Sequence, residues 1–266
     1  MLFDFFGGKS KVVIGMVHIG ALPGSPLYDA EGGMERLLEG VLTDLERLQQ
    51  GGVDAVMFGN ENDRPYTLEA PPEALAAMTA IVTAAKPHLR VPFGVDYLWD
   101  PEASVAIACA TGARFAREVF TGVYASDMGL WQPDAAAALR LRRRLGRPDL
   151  KLLFNVNAEF AAPLDTRPIA LRARSAVFSS LADAVLVSGP LTGQPAETSE
   201  LAAVREALPE VPLFANTGVD IDNVREVLAI ADGCIVGTHF KVDGDTWNPV
   251  DGERVARFME VVERLR

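Results

Sequence analysis

The chain has 266 residues, of which 49% are hydrophobic and 23% charged, and its formal net charge is −11. This composition excludes a disordered chain, and the acidic balance disfavours general nucleic-acid binding, which needs a basic surface. No apolar run approaches the roughly 20 residues of a membrane-spanning helix, and the first residues lack the pattern of a signal peptide. Cys109 and Cys234 lie in apolar contexts and are expected to be buried, reduced thiols, so we predict a cytoplasmic protein.

Apolar runs alternate with segments of helical periodicity along the whole chain. The first run, VVIGMVH at 12–18, predicts a buried strand, and residues 33–50 carry apolar side chains at helical spacing. The same unit recurs to the end of the chain. Strands are predicted at 12–18, 54–60, 91–98, 113–119, 151–157, 183–189, 211–216 and 233–238. Helices are predicted at 33–50, 72–86, 101–111, 134–145, 168–181, 197–207, 221–230 and 251–264.

Eight strand–helix units in about 250 residues predict a (β/α)8 barrel, formed by residues 1–266 as a single domain. The competing fold is a doubly wound sheet, but the first strand leads into GMVHIGALPGSP without a G-x-G-x-x-G fingerprint. Residues 1–11 are expected to cap one end of the barrel, where Phe3, Phe5 and Phe6 would form a plug. Contact of these phenylalanines with a membrane or a partner is the alternative.

Functional groups of such barrels lie at the C-terminal ends of the strands, where this chain carries many polar residues. Strand four ends on Arg117 and Glu118, for example, and strand five continues into NVNAEF. We predict substrate contacts at these strand ends from Asn60, Glu61, Asp63, Glu118, Asn155 and Lys241.

Acid–base chemistry is predicted for two carboxylates at the mouth, Asp96 and Glu159, with His18 and Asn157 orienting groups or stabilising charge. Asn155, Asn157 and Glu159 alternate, so they would share one face if the strand stays regular that far. A satisfied internal polar network is the alternative for Asn155. A divalent metal on Asp63, Asp96 and Glu159 is conceivable, but no ligand spacing argues for it, so no cofactor is predicted.

An anion site is predicted on the turns after strands six, seven and eight, because glycine lets the backbone approach a ligand and hydroxyls donate to it. Lys241 would supply the countercharge, and ordinary tight turns are the alternative. The predicted phosphate-binding residues are Ser188, Gly189, Asn216, Thr217, Gly218, Gly237 and Thr238. Tyr124, Trp131 and Trp247 would form a lid on the ligand or cap the loops.

Long blocks of the sequence resemble the BtpA/SgcQ family from about residue 12 to residue 265. The blocks are GMVHIGALPGSP, GNENDRPY, GVDYLWDP, REVFTGVYASDMG, NVNAEF, VSGPLTG, FANTGV and GCIVGTHFKVDGDTWNPVD. The resemblance implies a (β/α)8 barrel. One branch of the family is tied to photosystem I biogenesis as a peripheral membrane factor, and another to sugar uptake and metabolism. The resemblance implies no particular reaction.

Two functions follow from the sequence. The first is an enzyme acting on a small phosphorylated metabolite, such as a sugar phosphate or a nucleotide-derived sugar, by proton transfer next to a carbonyl or by cleavage of a glycosidic bond. No lysine lies clearly at an inward strand position, which argues against a Schiff-base aldolase. The second is a non-catalytic assembly factor that binds a partner or a membrane surface. Apolar outer helix faces are also compatible with a homo-oligomer.

Overall fold

The computed structural model describes residue 6 and residues 8–266. Eight parallel strands close into a barrel, and eight helices surround it, which confirms the predicted fold. The barrel strands are β1 (Val12–His18), β2 (Ala55–Gly59), β3 (Phe93–Asp96), β4 (Phe115–Glu118), β7 (Lys151–Asn155), β9 (Ala184–Ser188), β10 (Leu213–Asn216) and β11 (Gly233–Val236). Closure is made by the pairing of β1 with β11, in which Ile14 lies opposite Ile235.

The helices alternate with the strands along the chain and pack around the barrel. They are α1 (Gly33–Gln50), α2 (Pro72–Ala85), α3 (Pro101–Thr111), α4 (Ala135–Arg144), α5 (Ile169–Ser180), α6 (Thr198–Ala207), α7 (Val224–Ile230) and α8 (Gly252–Glu263). Asp100, Asp134 and Asp251 cap the N-termini of α3, α4 and α8 by accepting backbone N–H bonds. Among the described residues, no helix is long and apolar enough to cross a bilayer.

Two apolar layers result from the alternation of side chains along the strands. The larger layer lies between the strands and the helices, and the smaller one fills the barrel interior with residues such as Ile14, Phe115 and Phe214. Gly94 makes room for Phe115, whose ring would lie 2.2 Å from a Cβ at position 94. Phe6 is buried in this interior layer, whereas Phe3 and Phe5 lie outside the described residues.

A small antiparallel sheet that the sequence analysis missed lies beside the barrel. Its strands are β5 (Tyr124–Ser126), β6 (Gly129–Trp131) and β8 (Ala161–Pro163), in the order β6-β5-β8. Each strand has only three residues, too few for a period of two to be recognised in the sequence. The sheet joins the loops that follow β4 and β7, and so holds the chain around Glu159 at the barrel mouth.

Candidate active site

On each strand, the next inward-facing position after the apolar side chains of the barrel interior lies at the floor of the mouth. If the interior alternation of apolar side chains is continued by two residues, six of these positions are polar and two are glycine. They are His18, Gly59, Asp96, Arg117, Asn155, Ser188, Asn216 and Gly237. The side chains inside the barrel therefore change from apolar to polar over two residues along each strand.

Arg117 is the centre of this polar floor. Its guanidinium group donates to Asp96 and to Glu159, the latter at 3.0 Å, and its Nε donates to Asn155 Oδ1 at 3.0 Å. Asp96 and Glu159 both pair with the buried cation of Arg117, so the geometry does not support them as the predicted acid–base pair. Asp96 is fully buried and does not line the cleft, whereas Glu159 does.

Glu159 is held from several sides. Besides Arg117, it accepts bonds from the hydroxyl of Thr192 at 3.2 Å and from Asn216 Nδ2 at 3.2 Å. Burial raises its pKa, and Arg117 and Thr192 oppose this increase. Asn155 and Asn216 both donate to Ser188 Oγ, each at 2.9 Å, so the amides complete a closed network. For Asn155, the internal network anticipated as the alternative is what the structure shows.

Glu118 and Asp96 form a second pair of carboxyl groups next to Arg117. Glu118 is fully buried. Neither of its carboxyl oxygens has a hydrogen-bond partner among the described residues, and the same is true of Asp96 Oδ1. Burial and then the neighbouring Asp96 raise the pKa of Glu118 well above its usual range. A proton on Glu118 can be donated to Asp96, which leaves the second oxygen of Glu118 without a donor among the described residues. Glu118 does not line the cleft, so the geometry gives no support to its predicted contact with substrate.

Glu61 and His18 form the opposite wall of the cleft, with Glu61 Oε1 3.7 Å from His18 Nε2. Burial and the charge of Asp96 raise the pKa of Glu61 to about 8. Burial and the nearby Lys241 lower the pKa of His18. Glu61 Oε2 has no hydrogen-bond partner among the described residues. Gly59 leaves the space that this carboxyl group fills, because a Cβ there would lie 2.5 Å from it.

The cleft between these walls is narrow, with a cavity volume of about 50 Å³. Its lining combines titratable, apolar and loop residues. They are Met16, His18, Glu61, Leu98, Trp99, Arg117, Glu159, Phe160, Thr192, Gly193, Asn216, Thr217, Gly218, Ile235, Gly237 and Thr238. Two of the four predicted catalytic residues, His18 and Glu159, thus face it.

The turns predicted to bind phosphate pack largely against each other. Thr217 Oγ1 accepts from Gly189 N at 2.7 Å and donates to Gln194 O at 2.8 Å. Gly218 has a φ of +57°, and a Cβ on it would lie 2.1 Å from Pro195 N. Loop packing thus accounts for this glycine without an anion. Gly218, Thr217, Gly237 and Thr238 nevertheless line the cleft, and the phosphate site stays a prediction.

Two asparagines predicted to act at the site instead clamp the backbone. Asn157 donates to Ser188 O at 2.6 Å and accepts from Ser188 N at 2.9 Å, because β7 ends at Asn155 and its alternation does not continue. Asn60 accepts from Leu98 N at 2.7 Å and donates to Leu98 O at 3.4 Å. Neither side chain lines the cleft, so the geometry gives no support to a catalytic role for Asn157 or to a substrate contact for Asn60.

Asp63 and Lys241 are also drawn away from the cleft. Asp63 accepts from Leu22 N at 3.2 Å and so connects the loops after β1 and β2. Lys241 is buried and donates to Asp44 of α1 at 2.8 Å, so it is not a free countercharge for an anion in the cleft. Among the described residues, no group of three His, Cys, Asp or Glu side chains is arranged to hold a metal ion.

The three mouth aromatics have different roles. Tyr124 and Trp131 are buried in a small cluster with Trp99, whose ring lies 5.2 Å from that of Trp131. They cap the loops and do not cover the cleft. Trp247 is 45% exposed, stacks on Arg64 at 3.6 Å, and lines a second cavity between α1 and the β11–α8 connection. This cavity shares His18 with the cleft.

The fold and the buried carboxyl groups at its mouth define a TIM-barrel protein. Solved structures that share the fold include thiamine phosphate pyrophosphorylase from Pyrococcus furiosus, with a TM-score of 0.58, 16% identity, and 96% of both chains covered. Phosphoribosyl anthranilate isomerase from Thermus thermophilus has a TM-score of 0.57 and 14% identity, with 96% of this chain and 100% of that chain covered. At these identities the likeness shows the fold alone.

The chain belongs to the BtpA family, whose sequence pattern it matches over residues 9–264. It is 46% identical to the putative sgc region protein SgcQ of Escherichia coli K12, with 97% of both chains covered. It is 33% identical to the photosystem I biogenesis protein BtpA of Synechocystis, with 98% of this chain and 91% of that protein covered. The resemblance found in the sequence is therefore confirmed.

Proposed function

We propose that the protein is an enzyme that uses buried carboxyl groups at the barrel mouth for acid–base chemistry on a small phosphorylated metabolite. The observation that carries the proposal is the pair of Glu61 and His18 in the cleft wall. With a pKa of about 8, Glu61 holds a proton near neutral pH, whereas the lowered pKa of His18 keeps its imidazole neutral. One group can then donate a proton and the other accept one.

Glu159 is the second carboxyl group that faces the cleft. Its bonds to Arg117, Thr192 and Asn216 fix its orientation, as a group that acts on a bound substrate requires. Asp96 contributes indirectly, by holding the guanidinium group of Arg117 in place. In this proposal, Glu61, His18 and Glu159 contact substrate, and Asp96 and Asn155 position Arg117.

A phosphoryl group is proposed on the basis of the loops around the cleft. Residues of the turns after β9, β10 and β11 all line it, and this is where barrels of this fold often hold phosphate. Two of the structures that share the fold are named for phosphorylated compounds. With Lys241 paired to Asp44, backbone N–H groups and hydroxyls would be the main donors.

The test combines a binding screen with a chemical assay. Sugar phosphates and their unphosphorylated counterparts are compared by thermal shift, with and without Mg²⁺, because a ligand that binds the folded state raises its melting temperature. Compounds that stabilise the protein are then incubated in deuterated water and followed by NMR for products or for exchanged C–H positions. Wild type should convert at least one of them, and Glu61→Gln and His18→Ala should lose conversion at least 100-fold.

Conversion that persists in both variants would exclude these residues as the catalysts. Exposed Glu46 supplies the matched control, since Glu46→Gln makes the same chemical change far from the cleft. Stabilisation by unphosphorylated sugars alone would remove the phosphoryl part of the proposal.

The second candidate is a non-catalytic assembly factor, the kind of role that the name of the Synechocystis relative states for that protein. The observation in its favour is an apolar stripe on α5 and its C-terminus, formed by Leu171, Phe178 and Leu181, of which Phe178 is 89% exposed. This role needs no titratable groups in the cleft. Turnover that depends on Glu61 would therefore decide for the enzyme.

A further inference from the structure

Two buried polar atoms in the wall of the cleft have no hydrogen-bond partner among the described residues. They are the indole nitrogen Nε1 of Trp99 and the carboxyl oxygen Oε2 of Glu61. Buried polar groups in folded proteins are nearly always hydrogen-bonded, because an unpaired group costs free energy. Two such atoms in one concave site therefore indicate that a bound molecule supplies their partner.

The two side chains are held close together by the residues that precede them. The amide of Asn60 makes two bonds to the backbone of Leu98, and Glu61 and Trp99 follow directly in the sequence. Tyr66 adds a second connection. Its hydroxyl donates to the backbone oxygen of Glu61 at 2.9 Å, and its ring packs edge-on against Trp99 at 6.0 Å. The loops after β2 and β3 thus present both groups on one wall.

The chemistry of the pair selects its ligand. An indole N–H can only donate a hydrogen bond. Burial and Asp96 raise the pKa of Glu61 to about 8, so its carboxyl group also carries a proton to donate near neutral pH. An atom that meets both groups must accept two bonds, and a carbonyl oxygen has the two lone pairs to do so. A phosphate or carboxylate oxygen also accepts two bonds, but its charge would be repelled by Asp96, whose charge already raises the pKa of Glu61. An alcohol oxygen fits less well, because its own proton then needs an acceptor.

We propose that Trp99 Nε1 and the carboxyl group of Glu61 together bind the carbonyl oxygen of the substrate, which is accordingly a phosphorylated aldehyde or ketone. This inference deepens the proposed function and rests on it for the phosphoryl group. Removal of a proton from the neighbouring carbon would leave its electron pair in a C–C double bond and move the carbonyl electrons onto the oxygen. The two donors would stabilise that enolate oxygen, and neutral His18, 3.7 Å from Glu61, would take the proton.

The test uses pairs of phosphorylated compounds that differ in a carbonyl group. Dihydroxyacetone phosphate is compared with glycerol 3-phosphate, and ribulose 5-phosphate with ribitol 5-phosphate, by calorimetry. Wild type should bind the carbonyl member of at least one pair at least tenfold more tightly. Trp99→Phe removes the donor but keeps an aromatic ring, and should reduce this preference at least threefold.

Matched variants separate the donor from the packing. Trp131 packs on Trp99 at 5.2 Å but does not line the cleft, so Trp131→Phe should keep the preference. Glu61→Gln retains an N–H donor and should keep most of the preference although turnover is lost, whereas Glu61→Leu should lose the preference. Binding is read here only from variants that unfold cooperatively in urea.

The outcomes distinguish this inference from the proposed function. Equal binding of both members in each pair, or a preference unchanged in Trp99→Phe, would overturn the carbonyl inference alone, because water then satisfies the two atoms. Failure of every phosphorylated compound to bind, both in these pairs and in the thermal-shift screen, would overturn the phosphorylated substrate class and the inference with it. A carbonyl preference without turnover would support the site while contradicting the catalytic proposal.

Discussion

Both ends of the barrel carry carboxylates close to the strands, but the two ends pair them differently. At the end where the strands begin, Asp54, Asp183 and Asp232 precede β2, β9 and β11. Each accepts a backbone N–H from the neighbouring strand, given by Val13, Leu152 and Leu213 respectively. This device repeats three times around the barrel and joins adjacent strands.

Each of these aspartates also has an arginine of its own. Asp54 pairs with Arg266, Asp183 pairs with Arg142, and Asp232 pairs with Arg205. Charge and hydrogen-bonding capacity are therefore balanced at this end, and it is built for stability.

The mouth has the opposite balance. Arg117 directly pairs with two carboxylates, Asp96 and Glu159, while Glu118 and Glu61 lie close by without a cation of their own. Burial raises the pKa of all four carboxyl groups. Proteins satisfy most of their buried polar groups and tolerate unsatisfied ones mainly at functional sites. We therefore expect substitutions at the strand starts to affect mainly stability, and substitutions at the mouth to affect ligand binding as well.

Arg117→Met is expected to have the largest effect, because it tests whether the mouth also contributes to stability. The variant leaves Asp96 and Glu159 buried without their cation, which should lower the free energy of unfolding by about 4 kcal/mol at pH 7. Urea unfolding measures this. Because the carboxyl groups can be neutralised by protons, the loss should shrink at pH 5. A loss below about 1 kcal/mol at both values would mean that the network is not held by charge.

Asp54→Ala tests the strand-start end. It removes the bond to Val13 N and the ion pairs to Arg266 and Lys9, and should lower the free energy of unfolding by about 3 kcal/mol. Ligand binding at the mouth should stay unchanged where the variant is folded. Asp165→Ala, which removes an exposed pair to Arg167, is the control and should cost about 1 kcal/mol or less. Equal effects of the two substitutions would contradict the assignment of stability to Asp54.

Glu61→Gln, unlike the two preceding variants, should become more stable relative to wild type as the pH rises. The pKa of Glu61 is raised from 4.5 to about 8 in the folded state, so its favourable contribution is complete below pH 4.5 and is lost as the pH rises through 8. Glutamine does not ionise. The variant should therefore gain about 2 kcal/mol or more relative to wild type between pH 5 and pH 9, since one pKa unit corresponds to about 1.4 kcal/mol. Urea unfolding at both pH values, with Glu46→Gln as the exposed control, decides this.

The fold was predictable because its signals are local and repeated. Eight apolar runs and eight amphipathic segments define the barrel, and the rule that sites lie at strand ends located the mouth. The roles of single residues at the mouth depended on distances that the sequence does not contain. Arg117 was noted at its strand end, yet its position as a hub became visible only when Asp96 and Glu159 were found on either side of it.

The remaining errors have two causes. Asn157 was misjudged because strand alternation was extended past Asn155, where the backbone leaves the strand. Trp99 and Thr192 were missed because they lie in loops whose path no periodicity reveals. Continuing the alternation from Phe115 to Arg117 would have placed the arginine inside the barrel, so that residue was within reach of the sequence.

Thr192→Val should have the smallest effect and tests whether the mouth is tuned by single hydrogen bonds. The substitution removes the hydroxyl that donates to Glu159 Oε2 while keeping the size of the side chain. Because this bond lowers the pKa of Glu159, its loss should raise that pKa further, and the free energy of unfolding should change by no more than about 1 kcal/mol. The pH dependence of binding of dihydroxyacetone phosphate, measured by calorimetry, should then shift to higher pH by a fraction of a unit.

Thr217→Val removes a hydroxyl that bonds the same loop, through Gly189 and Gln194, without touching Glu159. It should lower stability without shifting the profile. A shift of equal size in both variants would show that loop order, and not the bond to Glu159, controls the ionisation of the mouth.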